Sequence, residues 1–465
     1  MKKKTTMILL LVVLVLAAGC SGKAGIPAGD IPVNTTGESD MIQNPDDLKD
    51  EVADSFKAGG ETEDSTPPMA EGKAEDSTAP MAEAETVQEE TEFENGITIP
   101  EISIKDFAVP DTEALRFANG LGVGWNLGNT FDAYRDSNFG DEMLLETHWQ
   151  SDMTTKEFIH SVREKGFSSI RIPVSWHDHL SEDLEISEAW ISRVDEVVGW
   201  AVDEGLYVII NIHHDNHPEA NGYFPDSVHR EQSTRYVKRI WEQVADRFNK
   251  YDEHVIFESL NEPRLVGNKD EWYLNPGSKE VRDSVECINE LNQLFVDTVR
   301  ATGGNNAERY LMVPGYCASP DGVLSVFFKM PEDPAKDRLM LSVHAYTPYD
   351  FALQSPGIKD FDPEKKESTG EIDTFLGKLY MKYVMNGIPV VVGEFGAQNK
   401  NNLQARVDYA AYYVRAARAR GMAVIWWDNN NFNSEGEKFG ILSRKSPDNS
   451  VNEIVAALMK YAVRP

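Results

Sequence analysis

Cysteine is almost missing from this chain: three occur in 465 residues. That excludes a small disulfide-framed scaffold, and the three show no metal-ligand spacing. Basic charge is scarce too, with 45 Lys/Arg against 77 Asp/Glu and a net charge of −32. Phosphate binding needs clustered Lys and Arg, so nucleic acid is excluded as a partner, and so is electrostatic docking on anionic lipid. A long apolar run is lacking: the one extended stretch, residues 7–18, is too short for a comfortable membrane span. Aromatics are scarce locally, since residues 21–100 hold only Phe56 and Phe93, with 20 Asp/Glu against 4 Lys/Arg. Such a stretch cannot bury enough apolar surface to offset the entropy of ordering it.

What is there divides the chain in three. Lys2, Lys3 and Lys4 precede the apolar run, and small residues follow it up to Cys20, the layout of a secretory signal peptide over residues 1–20. Ala17-Ala18-Gly19-Cys20 resembles a bacterial lipobox, which implies lipidation of Cys20, a cell-surface location and no other contact with the membrane. Plain secretion is the alternative. Residues 21–104 read as a disordered acidic linker in which Glu63-Asp-Ser-Thr-Pro-Pro-Met-Ala-Glu71 recurs as Glu75-Asp-Ser-Thr-Ala-Pro-Met-Ala-Glu83, too polar and short for a solenoid. Residues 105–465 hold all the Trp and Tyr and read as one globular unit, expected to act as a monomer. Cys287 and Cys317 are expected to be buried free thiols.

Eight short apolar runs punctuate that unit, at 122–127, 169–174, 206–213, 255–261, 309–315, 339–344, 389–394 and 422–427. Several are near-continuous Val/Ile/Leu, as in parallel strands buried on both faces. Amphipathic segments such as 188–203, 234–251, 281–302 and 403–420 lie between them. Gly166, Gly205, Gly387 and Gly421 stand where helices should end. Eight alternating β and α units predict a closed (β/α)8 TIM barrel of α/β class.

Polar residues then collect at one end of the predicted strands: Asn126, Arg171, His213, Asn261 with Glu262, His344 with Tyr346, Glu394 and Trp427. In such barrels that rim hosts chemistry. Glu262 and Glu394 each interrupt an apolar strand at its mouth, and two carboxylates on separate strand ends suit cleavage of a glycosidic bond. One carboxyl donates a proton to the leaving oxygen while the other, ionised, attacks or activates water. Asn261 and the His344/Tyr346 pair are placed to bond sugar or the carboxylates, and the fixed charge of Arg171 can keep one carboxylate ionised. Trp427 offers a flat face to a pyranose ring, with Trp149, Trp176, Trp272 and Tyr223 as candidate outer platforms. Adjacent His213 and His214 would point to opposite faces of a strand, so substrate contact or packing is expected there and no metal or cofactor.

These residues sit in seven ordered blocks: Gly124-Trp-Asn-Leu-Gly-Asn-Thr130, Ile170-Arg-Ile-Pro-Val-Ser-Trp176, Val208-Ile-Ile-Asn-Ile-His-His214, Phe257-Glu-Ser-Leu-Asn-Glu-Pro-Arg264, Ser342-Val-His-Ala-Tyr346, Val391-Val-Gly-Glu-Phe-Gly396 and Ile425-Trp-Trp-Asp428. Over the globular part the chain resembles glycoside hydrolase family five, the cellulase family, and most of all its bacterial endoglucanases that also cleave xyloglucan and mixed-linkage glucan. The resemblance implies a retaining endo-β-1,4-glucanase acting on β-glucan polysaccharide or oligosaccharide, with Glu262 as acid/base and Glu394 as nucleophile. It implies Asn261 at the sugar 2-hydroxyl, Tyr346 and Arg171 on the nucleophile, His213 and His344 beside the reacting centre, Asn126 and His214 as further substrate contacts, and Trp427 as a stacking platform. Glu262 is then expected to hold the higher pKa of the pair. A mannanase or xylanase on the same scaffold, and a non-catalytic glycan-binding lipoprotein, are the competing readings.

Overall fold

The computed structural model describes residues 93–135, 140–217 and 222–464. The signal peptide, Cys20 and the linker up to residue 92 lie outside the described residues.

In chain order the elements are α1 (Glu113–Leu121), β1 (Val123–Asn126), α2 (Lys156–Glu164), β2 (Ser169–Ile172), α3 (Glu188–Asp203), β3 (Tyr207–Asn211), α4 (Arg230–Phe248), β4 (Val255–Glu258), α5 (Lys279–Ala301), β5 (Leu311–Pro314), α6 (Pro320–Leu324), β6 (Leu339–His344), α7 (Tyr349–Ala352), α8 (Lys366–Lys382), β7 (Val390–Phe395), α9 (Leu403–Ala419), β8 (Ala423–Trp426) and α10 (Asn452–Lys460). The eight strands pair in sequence order, all parallel, and β8 closes on β1. This is the expected (β/α)8 barrel. Helix boundaries follow local chemistry. Thr112, Thr155 and Ser278 accept backbone N–H groups in the first turns of α1, α2 and α5. Gly421, at the end of α9, has φ +76° and a Cβ there would lie 2.8 Å from Val109, so only glycine fits.

Alternation along the strands sorts side chains between two cores. Val123, Trp125, Ile170, Ile172, Val208 and Ile210 face outward into the layer between strands and helices. Ile209, Ile256, Met312, Met340, Val391, Ala423 and Ile425 face the barrel axis, where they cluster with Ala114, Ala118 and Leu121 of α1. Phe117 stacks on Tyr310 with ring centroids 3.6 Å apart, which places α1 as the plug of the N-terminal mouth. Water is excluded from that end, and the open end carries the polar residues.

Two features differ from the sequence expectation. The linker boundary at residue 104 is too late, because the chain from Phe93 onward packs on the barrel. Phe93, Ile97, Ile99, Ile102 and Ile104 all touch the outer core. The Ile102 amide donates to Tyr461 Oη at 2.8 Å, and Thr98 exchanges two hydrogen bonds with Gln404. Alternating isoleucines supply the apolar face that the acidic segment before them lacks. Second, β3 ends at Asn211 and β4 at Glu258, so His213, His214, Asn261 and Glu262 stand on the loops that follow. Cys287 and Cys317 are buried and unpaired. Among the described residues no helix is long and apolar enough to cross a membrane.

Candidate active site

The inward positions nearest the open end of the barrel are polar, and they form one network around Arg171. This side chain projects from β2 and is fully buried. Its NH1 donates to Glu394 Oε1 at 2.7 Å and to Asn126 Oδ1 at 2.9 Å, its NH2 to Asn261 Oδ1 at 2.8 Å, and its Nε to Glu258 Oε2 at 2.8 Å. The planar fork thus fixes four partners at once. A β-bulge supports the arrangement. In the β6–β7 and β7–β8 ladders the register slips around Gly393 and Glu394, which pairs His344 with Glu394. Bulges re-aim side chains, and this one turns Glu394 out of the outward face toward the cleft. Gly393 makes room, since a Cβ there would lie 3.2 Å from His344 Nε2.

Glu394 is held at both oxygens, by Arg171 on Oε1 and by Tyr346 Oη on Oε2 at 2.9 Å. Glu262 meets it across His344, whose Nδ1 is 2.9 Å from Glu262 Oε1 and 3.6 Å from Glu394 Oε1. A carboxylate oxygen of Glu262, a ring nitrogen of His344 and a carboxylate oxygen of Glu394 all lie within 4.8 Å of one another. On its other side Glu262 is covered by Arg264, with NH1 3.7 Å from Glu262 Oε2. Asn261 accepts from Arg171 through Oδ1, which leaves its amide nitrogen as the end available to donate to a ligand.

The electrostatics depart from expectation. Burial raises the Glu394 carboxyl, and the Glu262 charge adds to it, against the pull of His344 and Arg171; the net is above the ordinary value. Burial raises Glu262 as well, but the His344 hydrogen bond and charge, with Arg264, hold it below. The order is therefore the reverse of the one expected for a resident acid at Glu262. The reason is His344: burial lowers it, yet Glu394 and Glu262 together carry it above its ordinary value, so the imidazole competes for the proton. Tyr346 is pushed well up by burial and by both carboxylates, and stays a neutral donor.

Three expected substrate contacts are placed differently. Asn126 is fully buried beneath the site, its amide nitrogen donating to the carbonyls of Gly393 and Trp426 and its oxygen accepting from Arg171. It positions β1 against β7 and β8 and cannot reach a ligand. Trp176 and Tyr223 are also fully buried and offer no outer platform. The argument that His213 and His214 point to opposite faces fails because both lie past the end of β3; their rings stand edge to face 4.4 Å apart, near Asp132. A metal is still disfavoured by the tautomer. Asn211 Nδ2 donates to Glu258 at 2.9 Å and lies 3.1 Å from His213 Nδ1, which makes Nδ1 an acceptor and puts the proton on Nε2. Burial pulls His213 well below its ordinary value and His214 down to about 4, so both rings are neutral.

Trp427 lies parallel to His213, centroids 6.0 Å apart. Asp428 anchors it, accepting from Trp125 Nε1 at 2.9 Å and from the amides of Ile441 and Leu442 at 2.8 Å. A Cβ on Gly128 would strike the Trp427 ring at 2.8 Å, so the indole fills space that only glycine leaves open. Trp149 continues the aromatic wall, 5.5 Å from His214 and 4.9 Å from Tyr134. On the Glu262 side, Trp272 is 62 % exposed and the Arg264 guanidinium lies 3.8 Å from its ring centre. Sequence reading missed Asn211, Glu258, Ser342, Arg264 and Tyr134. Period-two alternation carried the signal for the first three, since each follows an axis-facing residue by two: Ile209, Ile256 and Met340.

Comparison with known proteins accords with this geometry. The profile described as Cellulase (glycosyl hydrolase family 5) matches residues 136–433. Endoglucanase B of Ruminococcus albus is 42 % identical over 342 residues, 73 % of this chain and 78 % of that protein. Cellulase/esterase CelE of Acetivibrio thermocellus is 40 % identical over 357 residues; the match takes in 76 % of this chain but only 41 % of the longer relative. Among solved structures, a mutant glycoside hydrolase 5 lichenase from Caldicellulosiruptor sp. F32 in complex with cellotetraose is 53 % identical, with a TM-score of 0.77, over 78 % of this chain and 99 % of that one. With the barrel, the paired carboxylates and the profile in agreement, the chain belongs to glycoside hydrolase family 5, the cellulase family.

Proposed function

We propose that this glycoside hydrolase is an endo-β-1,4-glucanase that cleaves β-glucan with retention, through a glycosyl-enzyme on Glu394. The observation that carries the reading is the approach of the two carboxylates to within 4.8 Å. Retaining enzymes space their carboxyl groups by about 5–5.5 Å, whereas inverting ones need about 6.5–9.5 Å to admit water between them. Glu394, oriented by Arg171 and Tyr346, attacks the anomeric carbon, and the glycosidic bond breaks as Glu262 protonates the departing oxygen. Water then attacks the ester-linked sugar, giving its proton to Glu262 and releasing Glu394. Asn261 donates to the sugar beside the scissile bond, and neutral His213 donates through Nε2. Trp427 stacks on the ring.

The proton for the first step resides on the Glu262–His344 pair. A glycosidic oxygen arriving beside Glu262 draws it across. The expected kcat/KM profile is a bell. Its acid limb, from Glu394, lies above the ordinary carboxyl value of 4.5, and its alkaline limb, from the shared proton, above the imidazole value of 6.5. Initial rates on lichenan between pH 3 and 10 check this; an acid limb below 4.5 contradicts it.

Because Glu262 faces the leaving group, the departing chain extends past it toward Arg264 and Trp272. Trp272→Ala is expected to raise KM for glucan oligosaccharides about fivefold, from loss of about 1 kcal/mol of stacking, with kcat on an aryl cellobioside unchanged. Initial rates on both substrates check this. The activity is tested by product profiles on carboxymethyl cellulose, lichenan, xyloglucan, xylan and mannan. Internal cleavage of the glucans supports the proposal, and preference for mannan or xylan overturns the substrate class. We also propose export and tethering through Cys20, on the strength of the signal-peptide layout and lipobox-like sequence. Metabolic labelling with palmitate tests this, and label persisting in Cys20→Ala rejects it.

A further inference from the structure

A third carboxylate lies under the catalytic pair and takes no part in the steps above. Glu258, at the end of β4, is fully buried. Its Oε2 accepts from Arg171 Nε at 2.8 Å and from Asn211 Nδ2 at 2.9 Å, and sits 2.8 Å from Arg171 NH2. Its Oε1 accepts from Ser342 Oγ, on β6, and lies 4.0 Å from His344 Nε2. No oxygen is left for a substrate. Arg171 is thereby clamped between two carboxylates, Glu258 along its Nε edge and Glu394 on NH1.

A guanidinium devoted to one buried carboxylate stabilises the anion strongly, typically by about 1–3 pKa units. A carboxylate so stabilised is a poor nucleophile, because attack surrenders the stabilised charge. Sharing the guanidinium between two anions weakens its hold on each. We propose that Glu258 is a positioning residue for the reaction: by occupying one edge of Arg171 it keeps Glu394 oriented without making it too weak a base to attack. The inference rests on Glu394 being the nucleophile. The other charged or titratable groups facing the Glu258–Arg171–Glu394 unit are His344 and Tyr346 from β6 and the loop after it, Glu262 beyond β4, His213 beyond β3, and Glu437 from the loop after β8. None of them contacts Arg171 on its Nε edge.

Glu258→Gln tests this because the amide can keep the geometry. Its oxygen accepts from Arg171 and Asn211, and its NH2 group donates to Ser342 Oγ. The readout is the rate of covalent inactivation by a 2-deoxy-2-fluoro cellobiosyl fluoride as a function of pH, which reports attack alone. In Glu258→Gln the acid limb is expected to move down by about one pH unit and the plateau rate to fall about tenfold or more. An unmoved limb, with the rate merely scaled, overturns the proposal and makes Glu258 structural. If the Gln variant is insoluble, Glu258→Asp decides. It keeps the charge, so its limb is expected at the wild-type position despite slower inactivation, and a limb moved downward overturns the proposal. Absence of any covalent label on wild-type Glu394 is a separate result, which removes the nucleophile assignment itself.

Discussion

Glu394→Gln is expected to lower turnover of β-glucan by about 10⁵-fold, because the amide cannot form the glycosyl-enzyme. The fold should not suffer. Burial raises the Glu394 carboxyl in the native state, so its ionisation costs stability, and that cost grows as pH rises through the native value. Gln removes the cost and can still accept from Arg171 or Tyr346 through its oxygen. A melting temperature at pH 7 equal to the wild type, or higher by about 2–4 °C, is the expected outcome. Residual turnover within tenfold of wild type removes Glu394 from the mechanism, and a collapsed circular dichroism spectrum makes it structural.

The second large effect concerns the leaving group. Glu262→Gln should reduce hydrolysis of glucan by about 10²–10⁴-fold, the range a positioned general acid contributes. A substrate with an acidic leaving group, such as 2,4-dinitrophenyl cellobioside, needs no proton to depart. Its first step should survive, and the glycosyl-enzyme should accumulate, since the base for the second step is gone. Azide, a nucleophile that needs no base, should restore turnover and give the β-glycosyl azide. An α-azide, or equal losses on both substrates without rescue, contradicts the role.

Much of this was legible before any coordinates. Continuous apolar runs with glycine-capped amphipathic segments between them are what a parallel barrel demands, and all eight strands appeared where those runs lay. Glu262 and Glu394 stood out because a carboxylate at the mouth of an apolar strand has few structural uses. The errors fell where one residue of register matters. His213 and His214 were assigned to a strand that ends two residues earlier, so the opposite-face argument did not apply. Asn126 sat in a motif with catalytic company, yet its place on β1 sends it inward beneath Arg171, where every polar atom is used by the protein. Trp176 and Tyr223 could not be told from platforms by sequence, since a buried aromatic ring and a stacking one differ only in what lies on their faces. Trp272 was the opposite case: exposed, with one face taken by a cation and the other open. Glu258 passed unnoticed because a carboxylate inside an apolar run of the sequence has no chemistry until its partners are known. It needed three other strands to supply Arg171, Asn211 and Ser342.

The same network explains why the site tolerates so much buried charge. Three carboxylates and one guanidinium in a low-dielectric mouth would be costly if any lone pair or N–H were left over. Arg171 uses all three of its nitrogens, and both oxygens of Glu258 are filled. The remaining imbalance is carried by Glu262, Glu394 and His344, the groups that must change protonation during turnover.

The most direct test of the central claim is mass spectrometry of the wild-type enzyme after inactivation with a 2-deoxy-2-fluoro-β-cellobiosyl fluoride. A mass increase of one fluorosugar unit per chain, mapped by peptide sequencing to Glu394 and released by adding cellobiose, is what double displacement predicts. A chain that turns over glucan yet acquires no label, or is labelled at Glu262, contradicts it.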